Sequence, residues 1–283
     1  MFKEGDDARD AGLTTPDDIE RYDNILYGED ASWQSLDVYR PRAAAGKLPV
    51  IISIHGGGWV YGDKERYQFY CMNLAQRGFA VVNFTYRLAP DFKYPASMED
   101  TNLVAAWVMA NAAGYGLDTD HIFAVGDSAG GHMLGLYSAI TTNPEYAAKY
   151  EFKVPEGFSF SAIAINCGVY RLSEREDVDA GTAQLMKDLL PGGATHEELS
   201  EISSVNYITE NFPPTFYMTC TGDFLKNQAP FLEAKLLEKN VPHEFHYFGN
   251  SKKELGHVFH LNIRSEDAKE CNDAETAFFK RFL

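Results

Sequence analysis

Basic charge is scarce in these 283 residues: 25 Lys and Arg stand against 41 Asp and Glu, a net charge of −16. Nucleic-acid binding draws on basic patches, so no nucleic-acid partner is expected. The balance also opposes anionic membrane surfaces and strongly anionic substrates. Long apolar runs are missing as well. No stretch of about 18 uncharged apolar residues occurs, so no transmembrane helix and no membrane partner are expected. The start, Met1-Phe-Lys-Glu-Gly-Asp-Asp7, lacks the apolar core of a secretory signal. The four cysteines, Cys71, Cys167, Cys220 and Cys271, form no C-x-x-C and no metal-ligand spacing. No metal site and no disulfide framework follow from them. Cys167 and Cys220 lie in apolar runs and read as buried free thiols, which suit a reducing cytoplasm. Internal repeats and low-complexity segments are absent.

What is present is enough to build a core. Hydrophobic residues make up 45% of the chain and charged residues 23%, ordinary for a soluble domain. Apolar, β-prone runs at 24–28, 35–40, 50–54, 80–86, 122–125, 162–169, 215–220 and 244–248 read as eight strands, the first two as a hairpin. Helix-compatible runs at 67–77, 97–113, 131–142, 228–239 and 265–283 lie between them. Such alternation belongs to an α/β fold with a mostly parallel eight-stranded sheet and helices on both faces. Ser97-Met-Glu-Asp100 fits a loose capping box and sets an expected helix start. The whole of 1–283 reads as a single domain. The polar, acidic stretch 171–208 is longer than a strand-to-helix connection needs. It is expected to carry a helix at 182–190 and to form a small cap insertion, joined by residues 1–23.

The chemistry concentrates at Gly126-Asp-Ser-Ala-Gly130, which follows the strand at 122–125 and opens a helix. A sharp strand-to-helix turn of this kind holds a serine hydroxyl forward as a nucleophile, here Ser128. The two glycines leave room where a β-carbon would collide. Upstream, His55-Gly56-Gly57-Gly58-Trp59 follows another strand. Three glycines in a row mark a loop that comes close to something. The N–H groups of Gly57 and Gly58, with that of Ala129, could donate to an oxyanion. His55 reads as a residue that shapes this loop. Downstream, Asp223 follows the strand at 215–220, and His257 sits in Leu255-Gly-His-Val-Phe259. The order Ser, Asp, His suits a triad in which His257 moves the proton and Asp223 orients the imidazole. His260 is the rival base. His132, on the helix after Ser128, is expected to pack. Trp59 is expected either to line the pocket or to cover the oxyanion loop. Asp127 is expected to point away from the site, towards backbone or an Arg such as Arg87.

These motifs, with Tyr86-Arg-Leu-Ala-Pro90 and Tyr94-Pro-Ala-Ser-Met-Glu-Asp100, make the chain resemble an α/β-hydrolase of the hormone-sensitive-lipase-like esterase group. It is similar to the small bacterial acetyl esterases of carbohydrate metabolism. The likeness runs from about residue 24 to the end. It implies the α/β-hydrolase fold and a serine carboxylesterase that needs no cofactor. It also implies short acyl esters, acetyl above all, and a small-molecule or carbohydrate ester such as an acetylated sugar as substrate. Two departures stand out. Asp91 replaces a common Glu, and Gly222-Asp-Phe-Leu225 replaces the common Asp-Pro-Leu after the turn glycine. The alternative from another class is a non-catalytic small-ligand receptor on the same fold, which loss of a triad member would signal. Peptide cleavage is disfavoured, because a chain of this length has no room for the large extra domain such peptidases often carry. Self-association into a homo-oligomer stays open.

Overall fold

The computed structural model describes residues 2–173 and 180–283. Its strands are β1 (Ile19–Leu26), β2 (Ser35–Pro41), β3 (Leu48–Ile54), β4 (Ala80–Phe84), β5 (Leu117–Asp127), β6 (Ala162–Asn166), β7 (Thr215–Cys220) and β8 (His243–Phe248). The helices are α1 (Phe2–Asp10), α2 (Lys64–Ala75), α3 (Ala96–Tyr115), α4 (Ala129–Thr142), α5 (Pro144–Ala147), α6 (Ala180–Leu189), α7 (His196–Glu201), α8 (Ala229–Glu238) and α9 (Glu266–Phe279). All eight strands form one sheet in the order β1-β2-β4-β3-β5-β6-β7-β8. β2 runs antiparallel to both of its neighbours, and every other pairing is parallel. This is the expected α/β-hydrolase sheet, with its first two strands as the expected hairpin.

The central strands are apolar throughout because helices cover both of their faces. Successive side chains alternate between two cores. Ile52, Ile54, Val82 and Ala124 pack with residues of α3, α4 and α8. Ile51, Val81, Phe123 and Val125 pack with residues of α2 and α9. In the second core the Phe279 ring, fully buried, stacks on Phe123 at 4.8 Å between centroids. Truncating a buried Phe of this kind to Ala costs about 3–5 kcal/mol.

The chain order reverses beside β3: β4 pairs on one side of it and β5 on the other. In open parallel sheets a crevice forms beyond the carboxyl ends of strands at such a point. The loop after β3, the turn after β5 and the loop after β7 therefore meet at one end of the sheet. They carry the glycine-rich motif, Ser128 and Asp223.

The expected cap at Ser97 is not made. Helix α3 begins at Ala96 with Pro95 at its N-cap and no side-chain cap. Asp100 has a stronger partner. Its fully buried carboxylate accepts from the Arg87 backbone N–H (2.8 Å), from Arg87 Nε (3.0 Å) and from Gln34 Nε2 (2.7 Å). The motif around Arg87 is thus clamped to the motif ending in Asp100. Within 171–208 the expected helix is present as α6. A second, α7, starts at a full capping box between Thr195 and Glu198. The proposed cap stretch also includes residues 174–179, which lie outside the described residues.

Candidate active site

Ser128 stands between β5 and α4 with φ 51° and ψ −119°, a conformation that costs a non-glycine residue on the order of 1–3 kcal/mol. Its surroundings hold it there. The Ser128 N–H donates to the Asn166 carbonyl on β6 (3.0 Å), and His132 N–H donates to the Ser128 carbonyl (3.0 Å). A β-carbon on Gly126 would lie 2.6 Å from the Gly130 carbonyl oxygen, and one on Gly130 only 2.1 Å from that of Ile54. Glycine is required at both places, as the turn predicts. Behind this turn Asn166 donates to Glu275 (2.9 Å), which also accepts from Tyr70 (2.8 Å). Burial pushes the Glu275 carboxyl up to about 7.

Asp223 and His257 meet. The imidazole Nδ1 lies 2.6 Å from Asp223 Oδ1. An ionised carboxylate can only accept, so Nδ1 carries the proton and Nε2 is left as the basic nitrogen. Nε2 has no protein partner among the described residues. Asp223 is buried, which alone would push its carboxyl up. The hydrogen bonds from His257, from Thr219 Oγ1 (2.6 Å) and from the Leu225 N–H (2.9 Å) outweigh burial and hold it below the usual carboxylate range. The rival His260 is fully buried and edge-on to Tyr70. Burial, then His257, pushes it down to about 3. It does not line the cavity described below. Cys167 and Cys220 are buried free thiols, as read from the sequence. Cys167 Sγ lies within 4.8 Å of ligand-type atoms of Asp223 and His257, but His257 Nδ1 is already committed to the carboxylate.

The loop after β3 faces the same space. Gly57 and Gly58 have φ of 116° and 61°, where side chains are rare. Their N–H groups have no acceptor among the described residues. Ala129 occupies the first position of α4, where a backbone N–H has no intrahelical acceptor. His55 is buried, donates from Nδ1 to the Gly56 carbonyl (2.7 Å) and stacks on Tyr86 at 4.0 Å. It shapes the loop, as expected.

Asp127 departs from the expectation in its partner. Arg87 is taken by Asp100, and Asp127 instead accepts from Tyr67 OH (2.8 Å), which in turn accepts from the Gly56 N–H (2.9 Å). Asp127 borders the cavity, but its carboxylate is turned into the protein, 2% exposed and held by Tyr67. Burial pushes its carboxyl up to about 7 against the pull of Tyr67. Trp59 lines the cavity but is buried, and its indole N–H donates to His132 Nδ1 (3.2 Å). His132 Nε2–H donates to the Ile202 carbonyl at the end of α7 (2.6 Å), so this histidine packs as a neutral link. Burial pushes it down to about 4.

Ser128, His257, Gly57 and Gly58 open on one cavity of about 740 Å³. Its walls also include Asp6 of α1, Leu185 and Met186 of α6, Phe224 and Phe231. Asp6 accepts from Tyr61 OH (2.8 Å) and from Arg9 Nη1 (2.9 Å). Sequence reasoning missed Asp6, Tyr67 and Phe224 as individual wall residues. The departure from Asp-Pro-Leu was the available signal for Phe224; the other two carry no motif. Among the described residues no helix is long and apolar enough to cross a membrane.

The BD-FAE family model matches residues 36–239. Versiconal hemiacetal acetate esterase of Dothistroma septosporum is 30% identical over 229 residues, which is 75% of this chain and 68% of the relative. Esterase LipC of Mycobacterium tuberculosis is 31% identical over 199 residues, 67% of this chain; the chain spans about half of LipC, with 48% covered. Among solved structures, esterase B from Lactobacillus rhamnosis superposes with a TM-score of 0.91 at 26% identity, covering 99% of this chain and 91% of the other. The chain belongs to the BD-FAE family and is an α/β-hydrolase carboxylesterase.

Proposed function

We propose that the chain hydrolyses short-chain acyl esters through an acyl-enzyme on Ser128. The observation that carries this reading is the Asp223–His257 pair, whose free Nε2 and Ser128 belong to one cavity. Ser128 Oγ attacks the ester carbonyl while His257 Nε2 takes its proton. The N–H groups of Gly57, Gly58 and Ala129 donate to the oxyanion. Collapse expels the alcohol, which receives the proton from His257. Water, activated by the same nitrogen, releases the acid. Asp223 keeps the imidazole in the required tautomer and balances its charge in each half-reaction.

The short-acyl reading draws on Leu185. A β-carbon on Gly58 would lie 3.1 Å from Leu185 Cδ1, so α6 closes down directly beside the oxyanion loop. Acetyl, the smallest acyl group, asks least of such a space. Related esterase B structures are inhibited by C4–C4 tributyrin phosphonate and C6–C4 SN3 compounds. Residues 1–23 and 171–208 act as the cap in this reading: Asp6, Leu185, Met186 and Leu199 all contribute cavity wall. A mobile cover of this kind excludes water from the acyl-enzyme.

A p-nitrophenyl ester series from acetate to decanoate, run on wild type and Ser128→Ala, tests the proposal. Hydrolysis is expected to fall beyond butyrate and to vanish in the variant. Activity retained by Ser128→Ala would overturn the nucleophile. A rate that rises towards decanoate would overturn the short acyl pocket.

A further inference from the structure

We infer that Phe224 is an aromatic platform for the alcohol half of the substrate, and that the enzyme favours esters whose alcohol carries a flat apolar ring. The inference rests on the roles proposed above for Ser128 and His257. The proton that His257 returns goes to the leaving oxygen, so the alcohol must lie on the His257 side of the cavity. Phe224 stands there. Its ring centroid is 4.3 Å from that of His257, with the planes tilted by 45°. It lines the same cavity, yet it is 67% exposed. A large apolar side chain left open beside a reacting group is not core packing, and with Leu225, Phe231 and Val258 it gives this side of the cavity the apolar lining that ligand pockets use.

Two other aromatic rings in the cavity are already engaged. Trp59 is buried with its ring edge-on to His132. Phe231 carries the Arg171 guanidinium over its ring at 4.9 Å. Gln228, which also lines the cavity, is committed within the protein. Gln228 Oε1 accepts from the Tyr170 and Arg171 N–H groups, and its Nε2 donates to the Arg171 carbonyl. A sugar alcohol would bring several hydroxyls to a side of the cavity where Phe224, Leu225 and Val258 offer no side-chain hydrogen bond and Asn227 is the polar neighbour. A planar apolar ring would lose little by leaving water, and offset or edge-on ring contacts add to the gain.

The decisive comparison is benzyl acetate against cyclohexylmethyl acetate. The two alcohols are close in size and differ in flatness; benzyl alcohol is the slightly better leaving group, which acts on kcat, so KM carries the comparison. Wild type is expected to favour the benzyl ester in kcat/KM by about fivefold, chiefly through KM, because the ring contact exists before and during the reaction. Phe224→Ala is expected to abolish that preference and Phe224→Trp to restore it, with melting temperatures showing both variants folded. Equal KM values for the two esters in active wild type, a KM preference that survives Phe224→Ala, or faster turnover of a sugar acetylated only at its primary hydroxyl than of benzyl acetate would each overturn the inference. Loss of all ester hydrolysis in wild type would instead overturn the catalytic reading on which it rests.

Discussion

Asp223 and Asp127 are both all but inaccessible to solvent, with relative exposures of 1% and 2%, yet burial leaves them in opposite states. Asp223 receives donors from His257, Thr219 and the Leu225 backbone and is held below the usual carboxylate range. Asp127 receives Tyr67 alone among the described side chains and is pushed up to about 7. Desolvation acts on both; the three donors and the adjacent His257 charge at Asp223, against the single Tyr67 donor at Asp127, decide which state wins. The difference matches the work each would do. A triad acid must stay ionised to steady an imidazolium. Asp127 needs only to accept one hydrogen bond from Tyr67, which a neutral carboxyl can do as well.

The comparison breaks first at Asp223. Asp223→Asn keeps the shape and removes the charge, and its amide favours the wrong imidazole tautomer. The expected loss in kcat/KM on p-nitrophenyl acetate is on the order of 10³–10⁴-fold. Asp127→Asn is expected to lose less than about tenfold, because the amide oxygen still accepts from Tyr67. Equal losses in the two variants would mean that Asp127 works as an anion and that the contrast is misread.

Stability should separate them next, and with opposite sign. Asp223, with its lowered pKa, contributes stability that is present above the unfolded carboxylate range and lost as pH falls through the folded value. Asp127, with its raised pKa, binds its proton more tightly folded than unfolded. It therefore costs stability as pH rises from about 4 through about 7, on the order of a few kcal/mol in all. Glu275, pushed up to about 7 by burial, follows the same sign. Urea denaturation at pH 5 and pH 8 reads this directly. Relative to wild type, Asp127→Asn should gain stability between the two pH values. Asp223→Asn should be destabilised at both, and the deficit should shrink only at lower pH. A pH-independent offset for Asp127→Asn would show that its carboxyl titrates normally.

The reach of the sequence followed the same physics. β7 was read to the residue, and the core of β3 was read correctly, because strands covered on both faces are continuous apolar runs. β1 was read late, at 24–28, because an edge strand needs no such run, and Ile19–Leu26 carries Glu20, Arg21, Asp23 and Asn24. β6 was read too long, since the chain leaves it at Cys167, where φ turns to +49° for reasons that lie in its neighbours. The Ser97 cap failed because Arg87 and Gln34, far away in sequence, hold Asp100. The Thr195–Glu198 box before α7 was readable from spacing alone and went unread. In the candidate site, Ser128, Asp223 and His257 could be proposed from the sequence because their turns demand particular residues in a particular order, and the fold brings His257 against Asp223 and to the same cavity as Ser128. Asp6 and Tyr67 were not. Helix α1 has only Phe2 and Ala8 as apolar residues, too few for a period to be read, and it is tied down by contacts such as Arg9 to the Arg66 carbonyl and Arg264 to the Arg9 carbonyl.

The smallest effect tests what Asp127 is for. Its carboxyl reaches the oxyanion loop through Tyr67, whose hydroxyl both accepts from the Gly56 N–H and donates to Asp127. Gly56 immediately precedes the two glycines proposed to bind the oxyanion, and there is little slack around it: a β-carbon there would lie 2.7 Å from Asp127 Oδ2. Tyr67→Phe removes the middle of this relay and leaves the ring in the core. Loosening one turn of a preorganised loop should weaken transition-state binding without touching substrate binding. The expected result is a fall in kcat of about tenfold, some 1.4 kcal/mol, at unchanged KM. Asp127→Asn should change kcat less than Tyr67→Phe, because it keeps the hydroxyl in place. A rise in KM at constant kcat would place Tyr67 in the substrate's path instead. It would leave burial beside the elbow, rather than support of the loop, as the reason Asp127 is there.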